Sequence, residues 1–386
     1  MTVATSIVHG ATANADLAAQ AVQKAMLKAE LSVCNSVLLF LTSEFASDPL
    51  PAIKAAAKVA QCTQIIGCSA TGIFTEEDWI LDGPAAAAMV FGGELRLQHA
   101  HANAQHPNQP LLTITAPNAM NSTWLNHDNF SDGCVARYGG VSGDATGQGP
   151  FSVWQNAKGE VKGFIEATIE GAVVSTQASH GLHMLTAPQT IKEVSGYELY
   201  TLEKNSRPSN QSVNAYTQLL KAWQLYSQDN SPLPLHRLMA VYADSVEKIT
   251  QQQYQQTNII SVDAQTNSIT LAQPLQKGQV IGWGLRDIET AKADLTLVCN
   301  AVADRLNAMS ANAETERTQP DFGLLFSCVG RGPYFYGGVD QDLKIIQQQF
   351  PNMPLLGFYG NGEIAHIHGQ NQLLPYSAVL SVFKIL

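Results

Sequence analysis

The sequence predicts an α/β protein, a layered sandwich of mixed β-sheets flanked by helices, with two related strand–helix–strand units at its N- and C-terminal ends. Three observations predict it. Short unbroken apolar runs, such as residues 37–41 (VLLFL), have strand length and the character of strands buried on both faces. Apolar stripes at alternating steps of four and three, as at Leu295, Cys299, Val302, Leu306 and Met309, mark helices between such runs. Several of the strands run directly into glycine-rich loops, as in IIGCSATGIF and LLGFYGNGEI.

The elements follow in order. Residues 14–30 predict a helix with Leu17, Ala21, Ala25 and Ala29 on one stripe and Asp16 in its first turn, where the helix dipole favours an anion. The strand SVLLFL follows. Asp48 and Pro49 then suit a helix start, a capping residue followed by a first-position proline, and the helix runs to about Ala60. QIIGCSATGIF is the next strand and carries the first glycine loop. Residues 85–102 read as a hairpin about Gly92 and Gly93. Residues 103–121 read as a loop rich in proline and asparagine, and RYGGVSGDATGQG is a further glycine-rich stretch. FSVWQN and VKGFIEATIEG predict a hairpin around Lys158 and Gly159, with VVSTQASHG as further strand. The polar run EKNSRPSNQS divides the chain into residues 1–204 and 205–386. Beyond it come a helix over 213–226, a hairpin around Thr266 and Asn267, the strand QVIGWGL and a long helix over 289–309. After the polar link ETERTQP, FGLLFSCVGRG is a strand and loop, Val339, Leu343, Ile346 and Phe350 stripe a helix, and SAVLSVFKI is the last strand. The first unit therefore reads helix, VLLFL, helix, IIGCSATG, and the last reads helix, GLLFS, helix, LLGFYGNG.

Composition narrows the function. The chain has 386 residues, 45% hydrophobic and 14% charged, so a large core under a lightly charged surface is expected. A formal net charge of −10 without a Lys/Arg cluster argues against nucleic acid as a partner. No run approaches the roughly eighteen apolar residues of a membrane-spanning helix, and the first residues lack a secretory signal, so a cytoplasmic protein without membrane attachment is expected. Cys34, Cys62, Cys68, Cys134, Cys299 and Cys328 form no CxxC pair and read as reduced thiols, mostly packing. GxSxG, HExxH and recognisably spaced Cys–His pairs are absent, so no enzyme is expected.

Four loops lie where open α/β sheets bind ligands, at strand carboxyl ends: residues 67–72, 139–147, 327–332 and 357–363. None has the lysine of a phosphate loop. Arg331 and Glu363 could clamp the carboxylate and ammonium of an amino-acid-like ligand, or pair with each other as a structural ion pair. Asp144 carries the same two readings, and Cys328 is either ligand-facing or packing. His180 and His183 form an HxxH, a weak metal pattern off a helix. His366 and His368 would share one face of a strand.

As a set these residues resemble the FIST family. IIGCSATGIF resembles the N-terminal FIST signature; RYGGVSGDATG and GAVVSTQASHG resemble the middle of the same domain; FGLLFSCVGRG with PLLGFYGNGEI resembles the C-terminal FIST domain. The resemblance implies a sensory module of bacterial signal transduction that binds a small ligand, amino acids among them. It puts ligand contacts at Gly67, Cys68, Ser69, Gly72, Gly140, Asp144, Cys328, Arg331, Gly357, Tyr359 and Glu363. The chain is also similar to the NosP type, FIST proteins that bind haem, sense nitric oxide and regulate a partner histidine kinase, and through it biofilm or cyclic-di-GMP signalling. Where many FIST proteins carry a proline-bearing turn, this chain has LHML, which makes His183 the candidate haem ligand, with Met184 and His180 beside it. Self-association as a homo-oligomer is left open.

Overall fold

A computed structural model of the protein describes residues 2–99, 109–121, 125, 135–158, 161–203, 212–229, 231–251, 253–309, 319–367 and 369–386. Cys134, His368, the turn at Gly159, most of ETERTQP and the expected division between residues 204 and 205 lie outside them. The fold is the expected mixed α/β, with six α-helices among the described residues. The chain forms two units, Met1–His180 with Asp294–Leu386, and Gly181–Ala293.

The first unit contains three six-stranded sheets. One runs Val3–His9, Ala85–Phe91, Ser36–Thr42, Ile65–Ala70, Val153–Trp154, Val161–Lys162. The second runs Ala172–Ser179, Ala378–Ile385, Phe322–Cys328, Leu355–Gly360, Gly72–Thr75, Trp79–Ile80. The third runs Gln370–Leu374, Glu363–Ile367, Arg137–Val141, Leu111–Thr115, Phe164–Glu170, Arg96–His99. All three contribute to one apolar core, with Phe40 and Met89 from the first, Phe326, Phe358 and Phe383 from the second, and Leu112 and Tyr138 from the third. Phe40 meets Phe358 edge-on with ring centroids 5.0 Å apart, a favoured aromatic geometry that ties the first sheet to the second. The other face of the first sheet is covered by helices Ala15–Ala29 and Leu50–Ala60. That of the second is covered by Gln341–Gln349 and the helix Ile288–Met309. Strands covered on both sides have no polar face, which is why their sequences are unbroken apolar runs.

The repeated unit is present and runs deeper than the sequence suggests. Ser36–Thr42 pairs in parallel with Ile65–Ala70 across the helix Leu50–Ala60, and Phe322–Cys328 pairs in parallel with Leu355–Gly360 across Gln341–Gln349. The register is the same, with Leu39 opposite Gly67 and Leu325 opposite Gly357. Each copy adds two antiparallel strands on the same side in the same order, Ala85–Phe91 then Val3–His9, and Ala378–Ile385 then Ala172–Ser179. Each first strand ends in a short 3-10 turn, Ser43–Phe45 or Val329–Arg331. The glycine loops then hand the chain to a neighbouring sheet: Gly72–Thr75 pairs with Leu355–Gly360, and Glu363–Ile367 pairs with Arg137–Val141. In the first copy only five residues separate Val3–His9 from its helix Ala15–Ala29. At the equivalent place in the second copy, after Ala172–Ser179, the second unit is inserted, and its last residues, up to Ala293, begin the helix Ile288–Met309.

The second unit is a closed antiparallel barrel of six strands, a feature the sequence did not announce. Gln189–Ser195, Glu198–Glu203, Ser268–Leu271, Gln255–Asp263, Leu238–Ala243 and Val280–Arg286 pair in that circular order, the last returning to the first. Closure removes exposed sheet edges. The helix Ala215–Ser227 packs on it through Leu219 and Trp223. The hairpin expected at Thr266 and Asn267 is its Gln255–Asp263 and Ser268–Leu271 pair, with Asn267 in the left-handed region.

Two local expectations are corrected. Residues 85–102 are not a hairpin: Ala85–Phe91 pairs with Val3–His9 and Ser36–Thr42, while Arg96–His99 pairs with Phe164–Glu170 in another sheet. Every residue of Ala85–Phe91 is buried, so this strand needs partners on both edges. Asp48 does not cap its helix, since the capping position is Pro49 and no side chain caps there. Asn14 does cap the first helix, accepting from the Asp16 amide at 3.0 Å.

Candidate functional site

The loops of the first unit converge where the parallel pair Phe322–Cys328 and Leu355–Gly360 ends. Along this end of the second sheet lie Ser179, Ser377, Cys328, Gly360 and Thr71, each at or beside the terminus of its strand. Backbone bonds fasten the neighbouring loops: the Cys328 amide donates to the Ser377 carbonyl at 3.0 Å, and the Asn361 amide to the Val141 carbonyl at 3.0 Å.

Arg331 is the centre of a buried polar cluster. It is 2% exposed and Asp342 is 1% exposed. Its Nε and Nη2 grip the two Asp342 carboxylate oxygens at 2.8 and 3.3 Å, a two-pronged ion pair. Nη1 donates to the Ser179 carbonyl at 2.9 Å and Nη2 to the Ser179 hydroxyl at 2.8 Å. That hydroxyl in turn donates to Asp294 at 2.7 Å, and the Tyr336 hydroxyl donates to Asp342 at 2.5 Å. Burial would weaken the Arg331 charge, but Asp342 first, then Tyr336 and Asp294, hold it firmly protonated. Beside it His180 is buried, and burial drives its pKa down to about 4 against the pull of Asp294, with Arg331 adding to the drop, so its ring is neutral.

Asp340 caps the helix Gln341–Gln349, accepting from the Leu343 amide at 2.9 Å, and also accepts the Tyr359 hydroxyl. Burial and the adjacent Asp342 push it up to about 6, although these bonds oppose the shift. Glu363 is 1% exposed. Its Oε2 accepts the Ser377 amide at 3.2 Å and the Ser377 hydroxyl at 2.8 Å. Its Oε1 has no hydrogen-bond partner among the described residues. Burial raises this carboxyl well above the usual range, and the Ser377 bonds and Arg331 only partly offset that.

The two copies of the repeat differ here in an informative way. Arg331 and Phe45 each end the 3-10 turn that follows the first strand. Glu363 and Ile73 each stand three residues past the last paired residue of the second strand. The buried stripe of the intervening helix matches Ala52, Ile53 and Ala56 with Asp342, Leu343 and Ile346. The first copy thus fills with Phe45, Ala52 and Ile73 the positions that the second gives to Arg331, Asp342 and Glu363, all buried. Buried charge is costly, and the same frame is built without it.

The other expected residues divide clearly. Gly67 and Gly357 serve packing: a Cβ would lie 1.7 Å from the Leu39 carbonyl oxygen in one and 2.0 Å from that of Leu325 in the other. Gly72 abuts Ile80 and Leu81, and Gly140 abuts Phe358 and Phe326. Cys68 points into the common core, where burial raises its thiol well above its usual range. Ser69 is buried, its carbonyl accepting from the Ser142 hydroxyl and its hydroxyl from the Ser152 amide, bonds that splice the first and second glycine loops. Asp144 folds its own turn, accepting from the Gly147 and Gly149 amides and the Thr146 hydroxyl. Cys328 ends its strand, buried beside Ser377. Thr71 and Asn361, not singled out by the sequence, occupy equivalent loop positions in the two copies, and both face Gly143. The buried Thr71 hydroxyl has no partner among the described residues. Their signal was the shared G-x-x-x-x-G spacing of residues 67–72 and 357–362.

The haem candidates do not form one site. His183 and Met184 are consecutive residues of the strand Leu182–Met184 and so face opposite sides, which no single iron can bridge. His183 is exposed with its ring 5.2 Å from that of Tyr226, and Met184 packs against Gly282. His180 belongs to the first unit and His183 to the second. No three His, Cys, Asp or Glu side chains among the described residues are grouped to hold a metal ion. The Nδ1 of His366 meets Asn371 at 2.9 Å.

The FIST N domain profile matches residues 35–205 and the FIST C domain profile residues 213–366, together most of the chain. It is a FIST-domain protein. FIST domains are sensory domains of signal transduction that bind small ligands. The junction between the two profiles falls within the barrel, whose strands come from both. Relatives include an uncharacterised protein of Mycobacterium bovis, 25% identical over 67% of this chain, of whose own length the chain covers 63%, just under two thirds. An uncharacterised protein of Mycobacterium tuberculosis is 30% identical over 32% of the chain and 30% of its own. F-box only protein 22 of Homo sapiens is 43% identical over 67 residues, 17% of this chain and 15% of its own. No helix among the described residues is long and apolar enough to cross a membrane.

Proposed function

We propose that this FIST protein is a sensory module whose small polar ligand is held at the end of the second sheet, between the Arg331–Asp342 pair, Glu363 and Thr71. The observation that carries the reading is the contrast between the two copies. Arg331, Asp342 and Glu363 occupy buried positions that the first copy fills with Phe45, Ala52 and Ile73, so the charges exceed what the frame requires. Buried carboxyls with raised pKa values at strand carboxyl ends are where functional sites concentrate. The reading assigns no catalysis to the chain and places it in the cytoplasm, acting on a signalling partner.

A screen of small polar metabolites by thermal shift tests it. A ligand should raise the melting temperature of the wild type and leave the triple variant Arg331→Phe, Asp342→Ala, Glu363→Ile unmoved, although the variant still folds. A hit that stabilises both proteins equally would sink the site.

A second, finer reading makes the protein a haem-based nitric oxide sensor that regulates a histidine kinase. It is supported by the exposed His183 ring beside Tyr226. A visible spectrum recorded with haem supplied decides it: a Soret band lost in His183→Ala supports the reading, and no band ends it.

A further inference from the structure

We propose that the ligand of this site is a small primary amine lacking a carboxylate, whose ammonium group pairs with the Glu363 carboxylate. The inference rests on the location of the site proposed above and adds the chemical class of its occupant.

Three features carry it. The guanidinium that would have received a ligand carboxylate is committed: Nε and Nη2 hold Asp342, while Nη1 and Nη2 hold Ser179. A carboxylate arriving here would have to displace an internal, better-positioned one. Acidic groups also outnumber the buried cation. Asp340, Asp342 and Glu363 are all buried here, so an arriving anion finds carboxyls rather than a free cation, whereas an ammonium finds an acid that can become its carboxylate partner. Finally, Glu363 is bonded on one side only. Ser377 occupies Oε2, and Oε1 is buried with no partner among the described residues. An ammonium group, with three donors and no acceptor, suits such an oxygen. The cation is organic rather than metallic, because no three His, Cys, Asp or Glu side chains among the described residues gather around one point.

Proton balance follows from the geometry. Burial raises the Glu363 carboxyl well above its usual range, with the Ser377 bonds and then Arg331 opposing, which favours the protonated form when no ligand is bound. The bound ammonium needs the carboxylate, so the Glu363 proton leaves to solvent as the pair forms. Nothing is oxidised or reduced and no covalent bond other than O–H breaks.

The experiment compares amines with their parent amino acids on the full chain: putrescine with ornithine, histamine with histidine, phenethylamine with phenylalanine. Titration calorimetry should show at least one amine binding about tenfold or more tightly than its parent, a difference of about 1.4 kcal/mol. Glu363→Gln should weaken that amine by about tenfold or more. Wild-type titrations in two buffers of different ionisation enthalpy should report net proton release on amine binding, a readout independent of whether the variant folds. The proposal is overturned if no amine binds at millimolar concentration, or if a parent amino acid binds as tightly as its amine. An amino acid whose binding is lost in Glu363→Gln would overturn the ligand class and keep the site.

Discussion

At the level of single residues, the cluster makes opposing statements about pH. Asp340 rises from an ordinary carboxyl to about 6 in the folded protein. Between its unfolded and folded values the native state holds a proton that the unfolded chain does not, so stability falls as pH rises through about 6. The difference corresponds to at most about 3 kcal/mol. Asp340→Asn keeps the bond to the Leu343 amide and should raise the melting temperature at pH 7.5, with less gain at pH 4. A variant less stable than wild type at pH 7.5 would show that the carboxylate itself is needed. His180 has the reverse sign. Its pKa falls to about 4 on burial, so the unfolded chain takes up the proton first and stability is lost as pH falls from about 6.5 towards 4. His180→Gln should remove that acid-side loss in urea titrations across this window, and an unchanged slope would place the ring in water. The sequence revealed Arg331 and Glu363 because charges inside glycine loops stand out. It could not reveal Asp340 and Asp342, since acidic residues at a helix start normally read as caps on a solvated turn. Only burial against Arg331 and Tyr359 distinguishes them.

At the level of elements, the parallel pairs set both the frame and its tolerance. Gly67 and Gly357 sit directly opposite Leu39 and Leu325 at a separation that leaves no room for a Cβ. Gly357→Ala should destabilise the protein by several kcal/mol, within the range of severe overpacking, and a melting temperature within a degree of wild type would contradict the register. The Arg331–Asp342 pair makes a further prediction about coupling. Removing one partner leaves a buried charge uncompensated, so Arg331→Met should cost about 3–5 kcal/mol. The double variant Arg331→Met, Asp342→Leu should be more stable than Arg331→Met alone, because the first copy packs apolar residues at these positions. Denaturant titration checks the order, and a double variant worse than the single would mean that the pair is required for folding. The strands and helices of this frame were legible because strands buried on both faces give unbroken apolar runs and their helices give clean stripes. The false hairpin at 85–102 shows the limit: a diglycine reads as a turn, but which sheets its flanking strands join is decided by contacts distant in sequence.

At the level of the whole molecule, the repeat explains why the barrel is where it is. Residues 10–14 join strand to helix in the first copy, and the second copy opens at that joint to admit Gly181–Ala293. The sequence could not show this, because the barrel strands pair around a circle whose closure leaves no local trace. Each unit has apolar clusters of its own: Ile191, Leu219, Trp283 and Leu285 in the barrel, and the three-sheet core with its two helical layers in the other. A domain that owns its core folds alone. Replacing Gly181–Ala293 with a short flexible link, in imitation of the first copy, should therefore leave the three-sheet unit folded, with a cooperative thermal transition. The link must not strain Ser179 and Asp294, which flank the insertion and belong to the Arg331 cluster. The shortened chain should keep ligand-induced stabilisation that depends on Glu363, because every residue of the proposed site lies in the retained unit. Loss of cooperative melting would show that the three sheets need the barrel to fold. A folded but unresponsive chain would mean that the barrel supplies part of the site.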